Sequence, residues 1–212
     1  MTLFEIKNNI SITPSQFSKV MALSTGKKGF GKTALTYADE IICKAMGVEM
    51  PDITNTAMWW GINNEAEAIK KYEFEHLCNV TKPERITSDI FGFVNGLPDG
   101  IIECDIAGQK GMIEVKCPHN PTNQLDIIRT AKPEIFNCPD GDYLETYWWQ
   151  VQGYLWLTDS QWCDFVTYDP RFPEQFQMVV QRVFPNADDI QKLHDRLYQF
   201  FYEVVLPRIP NV

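Results

Sequence analysis

Residues 96–118 contain two short segments, Gly96-Leu97-Pro98-Asp99-Gly100 and Gly111-Met112-Ile113-Glu114-Val115-Lys116-Cys117-Pro118. Runs near 90–95, 100–106 and 111–117 are rich in Ile, Val and Phe and are bounded by Gly, Pro or Asp. This pattern is typical of strands joined by tight turns. The segment therefore predicts three consecutive strands.

The third of these strands carries Glu114 and Lys116 two residues apart. Side chains alternate along a strand, so these two are expected on one face, with Ile113 and Val115 on the other. A hairpin would bring the turn that carries Asp99 toward the neighbouring strand. Two carboxylates and one ammonium group are therefore predicted to converge.

This combination suits metal-dependent hydrolysis of phosphodiester bonds. Mg²⁺ prefers oxygen ligands and is usually held by one or two carboxylates, water and a substrate phosphate. Asp99 and Glu114 would supply the carboxylates, and the Val115 carbonyl a third protein ligand. Lys116 would orient or help deprotonate the attacking water and offset charge in the transition state.

Each fragment also has an ordinary explanation. Pro-Asp-Gly is a common turn sequence, and a second copy, Pro139-Asp140-Gly141, is followed by no Glu-x-Lys strand. Glu-x-Lys on an exposed strand is usually a solvated ion pair. Only the ordered spacing of the fragments favours a site.

The rest of the chain alternates between helical and strand periodicity. Helices are predicted over about 13–23, 34–46, 56–77, 142–158 and 187–206, and further strands over about 162–168 and 176–184. Neither an internal repeat nor a linker interrupts this order. We therefore predict one α/β (α+β) domain over residues 1–212, with a central mixed β-sheet flanked by helices.

Charge is unevenly distributed along the chain. There are 19 Lys and Arg against 28 Asp and Glu, giving a formal net charge of −9, which taken alone argues against a nucleic-acid partner. Residues 1–32, however, contain five lysines and a single acidic residue, Glu5. A basic N-terminal segment thus precedes an acidic body, in which some carboxylates can hold metal.

The sequence gives no sign of export or of a membrane span. The sequence shows no apolar leader and no apolar run near the roughly 18 residues that a membrane span needs. Its six cysteines are widely spaced without a C-x-x-C pair, which disfavours a disulfide framework and a zinc or iron–sulfur site. We expect a cytoplasmic protein with reduced thiols and no membrane partner.

Residues Gly26–Thr33 match the nucleotide-binding pattern G-x-x-x-x-G-K-[ST]. That chemistry needs a buried strand before the loop, whereas the preceding residues are spaced like a helix. We interpret the segment instead as a basic loop whose lysines, Lys27, Lys28 and Lys32, grip a phosphate backbone. A nucleotide or DNA binder that uses this loop is the less favoured alternative.

Four further segments accompany the Pro-Asp and Glu-x-Lys pair. They are Ile12-Thr13-Pro14-Ser15, Trp60-Gly61 followed by Glu65, Tyr147 through Gln150-Val151-Gln152, and Tyr168-Asp169-Pro170-Arg171. The ordered set resembles the phage lambda exonuclease (YqaJ-type viral recombinase) branch of the PD-(D/E)XK nuclease superfamily. The resemblance extends over roughly residues 10–172.

The resemblance implies a restriction-endonuclease-like core over about 56–184, after a basic DNA-gripping helix and loop over 1–33 and before a C-terminal helix over about 187–206. It implies four catalytic residues: Asp99, Glu114, Lys116 and Glu65. Its metal ligands would be Asp99, Glu114 and the Val115 carbonyl. Glu65 taken alone is an ordinary helix-surface glutamate, since other glutamates are close by.

The same resemblance implies three DNA contacts: Ser15, Gln150 and Met58. The first two would lie near phosphates, and Met58 would act as an apolar wedge between the strands. Ser15 and Gln150 could equally be ordinary helix residues. The chain departs from the family at Asn8, where an arginine is found, and at Leu97, where a phosphate-contacting serine is found. Capture of a 5′-phosphate would then fall to Lys7 or to the basic loop.

By resemblance, the activity would be a Mg²⁺-dependent exonuclease, with Mn²⁺ able to substitute. It would degrade the 5′-ended strand of linear double-stranded DNA with a 5′-phosphate end and leave a 3′ overhang for recombination. A ring-shaped homotrimer and a single-strand annealing protein are the implied partners, in a phage or prophage setting. A related nuclease of different polarity, or an endonuclease, remains the main alternative.

Overall fold

A computed structural model describes residues 2–24, 29–51, 55–105 and 107–210. The α-helices are α1 (Leu3–Asn9), α2 (Phe17–Met21), α3 (Lys32–Ala45), α4 (Thr56–His76), α5 (Pro121–Thr130), α6 (Trp148–Thr158), α7 (Glu174–Gln177), α8 (Ala187–Gln199) and α9 (Leu206–Arg208). The strands are β1 (Ile86–Thr87), β2 (Asn95–Gly96), β3 (Gly100–Ile102), β4 (Gly111–Lys116), β5 (Glu134–Ile135), β6 (Trp162–Tyr168) and β7 (Met178–Val183). Short 3-10 helices, Pro14–Gln16 and Tyr143–Tyr147, precede α2 and α6.

The sheet is mixed, as predicted. Its five strands lie in the order β3-β4-β6-β7-β5, and a separate two-stranded sheet pairs β1 with β2. β3 and β4 form an antiparallel hairpin, whereas β4 and β6 run parallel. The parallel pair requires a crossover, which the chain makes through α5 and α6.

β4 and β6 lie at the centre of this sheet and are buried along almost their whole length. One apolar cluster packs α6 on the sheet, and a second packs α4 on it around Tyr72 and Trp162. A third cluster joins α1, α2 and α3 to the C-terminal helices. Gly111 allows the close approach of β4 to β6, since a Cβ there would lie 2.2 Å from the Trp162 ring.

The predicted strand over 90–95 is wrong except at its end. The side-chain oxygen of Ser88 accepts the main-chain N–H groups of Ile90 and Phe91, and this local turn competes with a strand ladder. Val94 forms only an isolated bridge with Ile12, and the ladder with β1 begins at Asn95. The predicted strand over 100–106 is likewise shorter, because Asp105 accepts main-chain N–H groups from Ala107 and Gln109 and closes a turn.

The predicted C-terminal helix over 187–206 is present but irregular. Its regular part, α8, passes into a π-helical segment over Phe200–Val205 and then into α9. Helices α1 and α5 were not predicted, although both carry sequence signals. Thr2 and Glu5 form a capping box before α1, and Asn120 caps α5 with Pro121 in its first turn.

A buried charge lies in the middle of β6. Asp164 is 1% exposed and accepts two hydrogen bonds from Arg182 on β7, both at 2.8 Å. The Tyr72 hydroxyl on α4 donates a third at 2.6 Å. The Arg182 guanidinium also stacks 3.9 Å from the Trp162 ring centre. This network joins α4 to two central strands.

All six cysteines lie within the described residues and are free thiols. Within the described ranges, no helix is both long enough and apolar enough to cross a bilayer.

Candidate active site

Asp99 is held in place by the hairpin of β3 and β4. It lies in the turn between β2 and β3, and its Oδ2 accepts the main-chain N–H of Val115 at 2.7 Å. The pairing of β3 with β4 ends at Gly100 and Ile113, so Val115 lies beyond the end of β3. The N–H and C=O of one strand residue point to the same edge. The Val115 carbonyl therefore faces the side on which Asp99 lies.

Glu114 and Lys116 lie on one face of β4, as side-chain alternation predicts. Lys116 Nζ lies 2.5 Å from Glu114 Oε1. The same oxygen accepts a hydrogen bond from Nε2 of Gln150, on α6, at 2.5 Å. Glu114 is only 1% exposed, and its Oε2 is buried without a hydrogen-bond partner. A buried carboxylate oxygen without a partner is costly, so Oε2 is well suited to contact a cation.

Four ionisable groups influence one another here. Burial, and then the negative charge of Asp99, raise the pKa of Glu114 to about 8. Burial raises the pKa of Asp99, and burial and Asp99 together raise the pKa of Glu65. Burial disfavours the charged form of Lys116, but Glu114 and Asp99 more than offset it, so the pKa of Lys116 is raised. Lys82 also lies 3.9 Å from Glu65, so three carboxyl groups face the Lys116 ammonium and the exposed Lys82, and a divalent cation would offset the remaining negative charge.

A cleft of about 370 Å³ opens beside these groups. It lies between α4, the end of β4 and the 3-10 helix that precedes α6. Its lining includes Met58, Ile62, Glu65, Lys116, Tyr143 and Tyr147. Lys116 Nζ lies 4.8 Å from the centre of the Tyr147 ring, which limits the positions open to the ammonium. The cleft thus brings Met58 and Glu65, to which the family resemblance assigns roles, together with Lys116.

The donor set fits a hard divalent cation. Among the described residues, no three His, Cys, Asp or Glu side chains form a ready metal cluster. A bound ion would instead use Asp99, the free Oε2 of Glu114 and the Val115 carbonyl. Such a small set of oxygen ligands is what Mg²⁺ commonly takes from a protein, with water and substrate phosphate completing its shell.

Among the described residues predicted to contact DNA, Ser15 and Lys32 do not line this cleft. Ser15 lies in the 3-10 helix before α2, and its hydroxyl is 3.0 Å from that of Thr13. Lys32 is exposed at the first turn of α3. Lys27 and Lys28 lie outside the described residues. Gln150 is the exception, because its amide reaches Glu114.

The two departures from the family pattern face different surroundings. Asn8, on α1, lines a shallow cavity with Phe4 and Glu5. Leu97 is 38% exposed, and its carbonyl accepts the Tyr154 hydroxyl at 3.1 Å. Neither residue supplies a cation for a phosphate.

Comparison with known proteins shows the family of this chain. Residues 4–161 match the model of the YqaJ-like viral recombinase domain. The chain belongs to the YqaJ-like viral recombinase family. The alkaline exonuclease LHK-Exo from Laribacter hongkongensis has a similar structure, with TM-score 0.73, 27% identity and coverage of 95% of this chain and 89% of that one.

Two further solved structures share the fold of this YqaJ-family chain. LHK-Exo in complex with dAMP gives TM-score 0.74 and 27% identity over 94% of this chain and 90% of that chain. A phage-related exonuclease from Haemophilus somnus 129PT gives TM-score 0.69 and 17% identity over 95% and 96% of the two chains. No curated protein matches the sequence.

The structure of this YqaJ-family chain does not support the nucleotide-binding alternative at Gly26–Thr33. Helix α2 lies where that alternative needs a buried strand. Arg196, on α8, donates to the carbonyls of Val20, Ala22 and Gly29 on the two sides of the loop. Carbonyls on both sides of the loop are therefore tied to the protein itself.

A clamp next to the site was not predicted from sequence. Arg171 Nε and Nη2 donate to the buried carboxylate of Asp169 at 2.8 and 2.6 Å. Nη2 also donates to the carbonyls of Pro118 and His119, at 3.2 and 3.0 Å. The guanidinium carbon lies 4.2 Å from the Trp60 ring centre. Arg171 thus fastens the end of β4, just after Lys116, to the end of β6 and to α4.

From sequence, the segment Tyr168–Arg171 was recognised only as a family signature, with no role predicted for Arg171. A buried Asp followed two residues later by Arg is compatible with a two-point ion pair, but its partners at Pro118 and His119 lie more than fifty residues away. Tyr143 was predicted only as part of the helix over 142–158, and Tyr147 only as the start of a family segment. Their place in the cleft depends on how α6 crosses the sheet.

Proposed function

We propose that the chain is a Mg²⁺-dependent 5′-to-3′ exonuclease of linear double-stranded DNA that leaves a 3′ overhang for phage-type recombination. Family membership and the exonuclease relatives support a deoxyribonuclease of the exonuclease type. The observation that carries the catalytic assignment is the convergence of Asp99, Glu114 and Lys116, with a buried partnerless oxygen on Glu114.

Asp99, Glu114 and the Val115 carbonyl would hold the Mg²⁺, and Mn²⁺ should substitute. When bound, the ion supplies polarisation of the scissile phosphate and a lowered pKa for the attacking water. The Gln150 amide donates to Oε1 of Glu114, which orients that carboxyl group and leaves its Oε2 available for the ion. Glu65 adds a third carboxylate at the wall of the cleft, from which a water molecule can be oriented.

Lys116 supplies a positive charge at the site. Without a bound cation, Glu114 and Asp99 raise its pKa above the ordinary range, which favours the charged ammonium. Lys116 would orient or help deprotonate the attacking water and would offset the charge that builds on the phosphate oxygens. Met58 and Ile62 would exclude water from the apolar side of the cleft.

Digestion of end-labelled linear duplex tests this function. With Mg²⁺, we expect mononucleotides to be released from 5′-phosphorylated ends, 5′-hydroxyl ends to be cut more slowly, and closed circular DNA to stay intact. With excess chelator, cutting should fall to background, because Asp99 and Glu114 would have no cation to position the phosphate. Added Mg²⁺ should restore cutting and raise the melting temperature by binding the folded state.

The alternatives give different products in the same assay. Release of label from 3′ ends would show the opposite polarity, and cutting of closed circles would show an endonuclease. Cutting that persists after complete chelation would contradict the metal-dependent proposal. A homotrimer ring, a single-strand annealing partner and a cytoplasmic location in a bacterial host remain predictions from the family resemblance. Light scattering at working concentration tests the trimer.

The Arg171 clamp gives a prediction for the same assay. Arg171→Lys keeps a positive charge but cannot bridge Asp169 and both carbonyls with one planar group. We expect its single-turnover cleavage rate to fall about 10- to 100-fold, because a shift of about 1 Å in a positioned group can cost 10²-fold. The affinity for DNA, measured by anisotropy with chelator, should be unchanged.

Arg129→Lys on exposed α5 is the matched control, because Arg129 only pairs loosely with Asp126 at 3.7 Å. It should cut at the wild-type rate. If Arg171→Lys is folded at the assay temperature and cuts as fast as wild type, Arg171 has no role in positioning the site.

A further inference from the structure

A second polar depression lies apart from the catalytic cleft. It is a groove of about 910 Å³ between the chain that follows α1, the 3-10 helix before α2, α3 and β2. The residues on which the argument rests are Ser11, Ser15, Lys19, Lys44, Arg85 and Asn95. None of them belongs to the metal-binding set, and five of the six were given no role by the family resemblance.

The groove gathers positive charge in an acidic chain. Three cations line it, Lys19, Lys44 and Arg85, against one carboxylate, Glu40. Lys19 pairs with Glu40 at 3.4 Å. Among the described residues, Lys44 and Arg85 form no ion pair. Both are exposed, and two positive charges therefore remain uncompensated at the groove.

The hydrogen-bond donors of the groove are only partly used. Asn95 Oδ1 accepts both the Ser11 hydroxyl at 3.0 Å and Arg85 Nη1 at 2.8 Å. This hydrogen bond holds the Arg85 guanidinium at the groove wall, and its other N–H groups have no hydrogen-bond partner among the described residues. A guanidinium held in this way, with nearby hydroxyl groups, matches the shape and charge of a phosphate.

We propose that this groove binds phosphate groups of the DNA strand, independently of base sequence, with Arg85 and Lys44 as the principal cations. The inference rests on the proposed function, since it assumes DNA in the neighbouring cleft. Asn95 precedes Asp99 by four residues, a span of at most about 14 Å. Phosphates only a few nucleotides from the scissile bond can therefore reach the groove. The bound group is either a phosphodiester or the terminal phosphate of the strand.

Salt dependence of DNA binding tests the groove without cleavage. In a Lys116→Ala background with chelator, anisotropy of a labelled duplex gives the affinity at several salt concentrations. The pair Arg85→Gln and Lys44→Gln should weaken binding and reduce the slope of log affinity against log salt by about 2, since each phosphate contact contributes about 0.9. An unchanged slope would overturn the proposal.

The matched control is the pair Lys70→Gln and Lys132→Gln, which removes the same charge from exposed positions outside the groove. Its slope of log affinity against log salt should stay near the parent value. An equal reduction would show an effect of net charge alone and would overturn the proposal that the groove binds phosphate. Duplexes with 5′-phosphate and 5′-hydroxyl ends separate the two sources. If the Arg85→Gln and Lys44→Gln pair loses affinity for both kinds of duplex, the groove binds phosphodiesters. If it loses affinity only for 5′-phosphorylated duplex, the groove binds the terminal phosphate. Failure of the nuclease itself would show separately, as no digestion by the unmutated chain with Mg²⁺.

Discussion

Replacing Lys116 with alanine is expected to reduce single-turnover cleavage of linear duplex about 10³-fold, the loss typical when one preorganised charge or donor is removed from a transition state. The ammonium lies 2.5 Å from Glu114 and 4.8 Å from the centre of the Tyr147 ring, whereas Lys82, the cation beside Glu65, forms only a 3.9 Å pair at the exposed side of the site. The measurement is digestion of end-labelled duplex by saturating enzyme with Mg²⁺.

Loss of fold would not explain this result. Removing one partner of a buried ion pair often costs about 3–5 kcal/mol. Because the pKa of Glu114 is already raised to about 8, this carboxyl can take up a proton, and the cost should be smaller. Lys116→Gln keeps a donor for Glu114 without the charge. It should melt closer to wild type and cut almost as poorly as the alanine variant.

Lys32→Ala provides the contrast with the loop alternative. Lys32 is the lysine of the nucleotide-binding pattern and is exposed. Its loss should weaken DNA binding, yet bound DNA should still be cut. If Lys116→Ala cut normally while Lys32→Ala abolished cutting, the catalytic assignment would have to be abandoned.

Replacing Asp164 with alanine is expected to lower the free energy of unfolding by about 3 kcal/mol. The change leaves Arg182 without its carboxylate and the Tyr72 hydroxyl without its acceptor, at the junction of α4, β6 and β7. The estimate is at the lower end of the usual range because the Arg182 side chain is 35% exposed and can recover water. For a chain of this size the melting temperature should fall by roughly 6–12 °C.

Denaturant unfolding followed by circular dichroism measures this loss. Asp126→Ala, in the exposed pair with Arg129, should change stability by less than about 1 kcal/mol. The loss of stability for Asp164→Asn should lie between those of the two alanine variants, since its amide oxygen can still accept one or two of the three hydrogen bonds. Equal stabilities for Asp164→Ala and Asp126→Ala would show that the buried network does not hold α4 to the sheet.

The parts of the site predicted from sequence are those that depend on local geometry. Alternation along one strand places Glu114 and Lys116 together, and a short hairpin carries Asp99 beside them. Both relations lie within the eighteen residues from Asp99 to Lys116, so spacing alone determines them. The mixed sheet and the helices with clear apolar periodicity were also predicted.

Other features depend on contacts between distant segments. The hydrogen bond from Gln150 to Glu114 and the link from Arg171 to Pro118 require the crossover that places β6 beside β4. The groove requires Arg85 and Asn95 to meet Ser11 and Lys44. The prediction of a strand at 90–95 was wrong for a local reason, since the hydrogen bonds of Ser88 to nearby main-chain N–H groups outweighed β propensity.

The parallel pairing of β4 with β6 has a consequence for the order of folding. Gly111 pairs with Trp162, so the strand with Glu114 and Lys116 leaves the ribosome roughly fifty residues before its sheet neighbour. At about 5–20 residues per second, several seconds separate the two. During this interval the crossover has not closed, and neither Gln150 nor Arg171 can hold the end of β4. A nascent chain is therefore expected to lack nuclease activity until nearly all of the sheet has been translated.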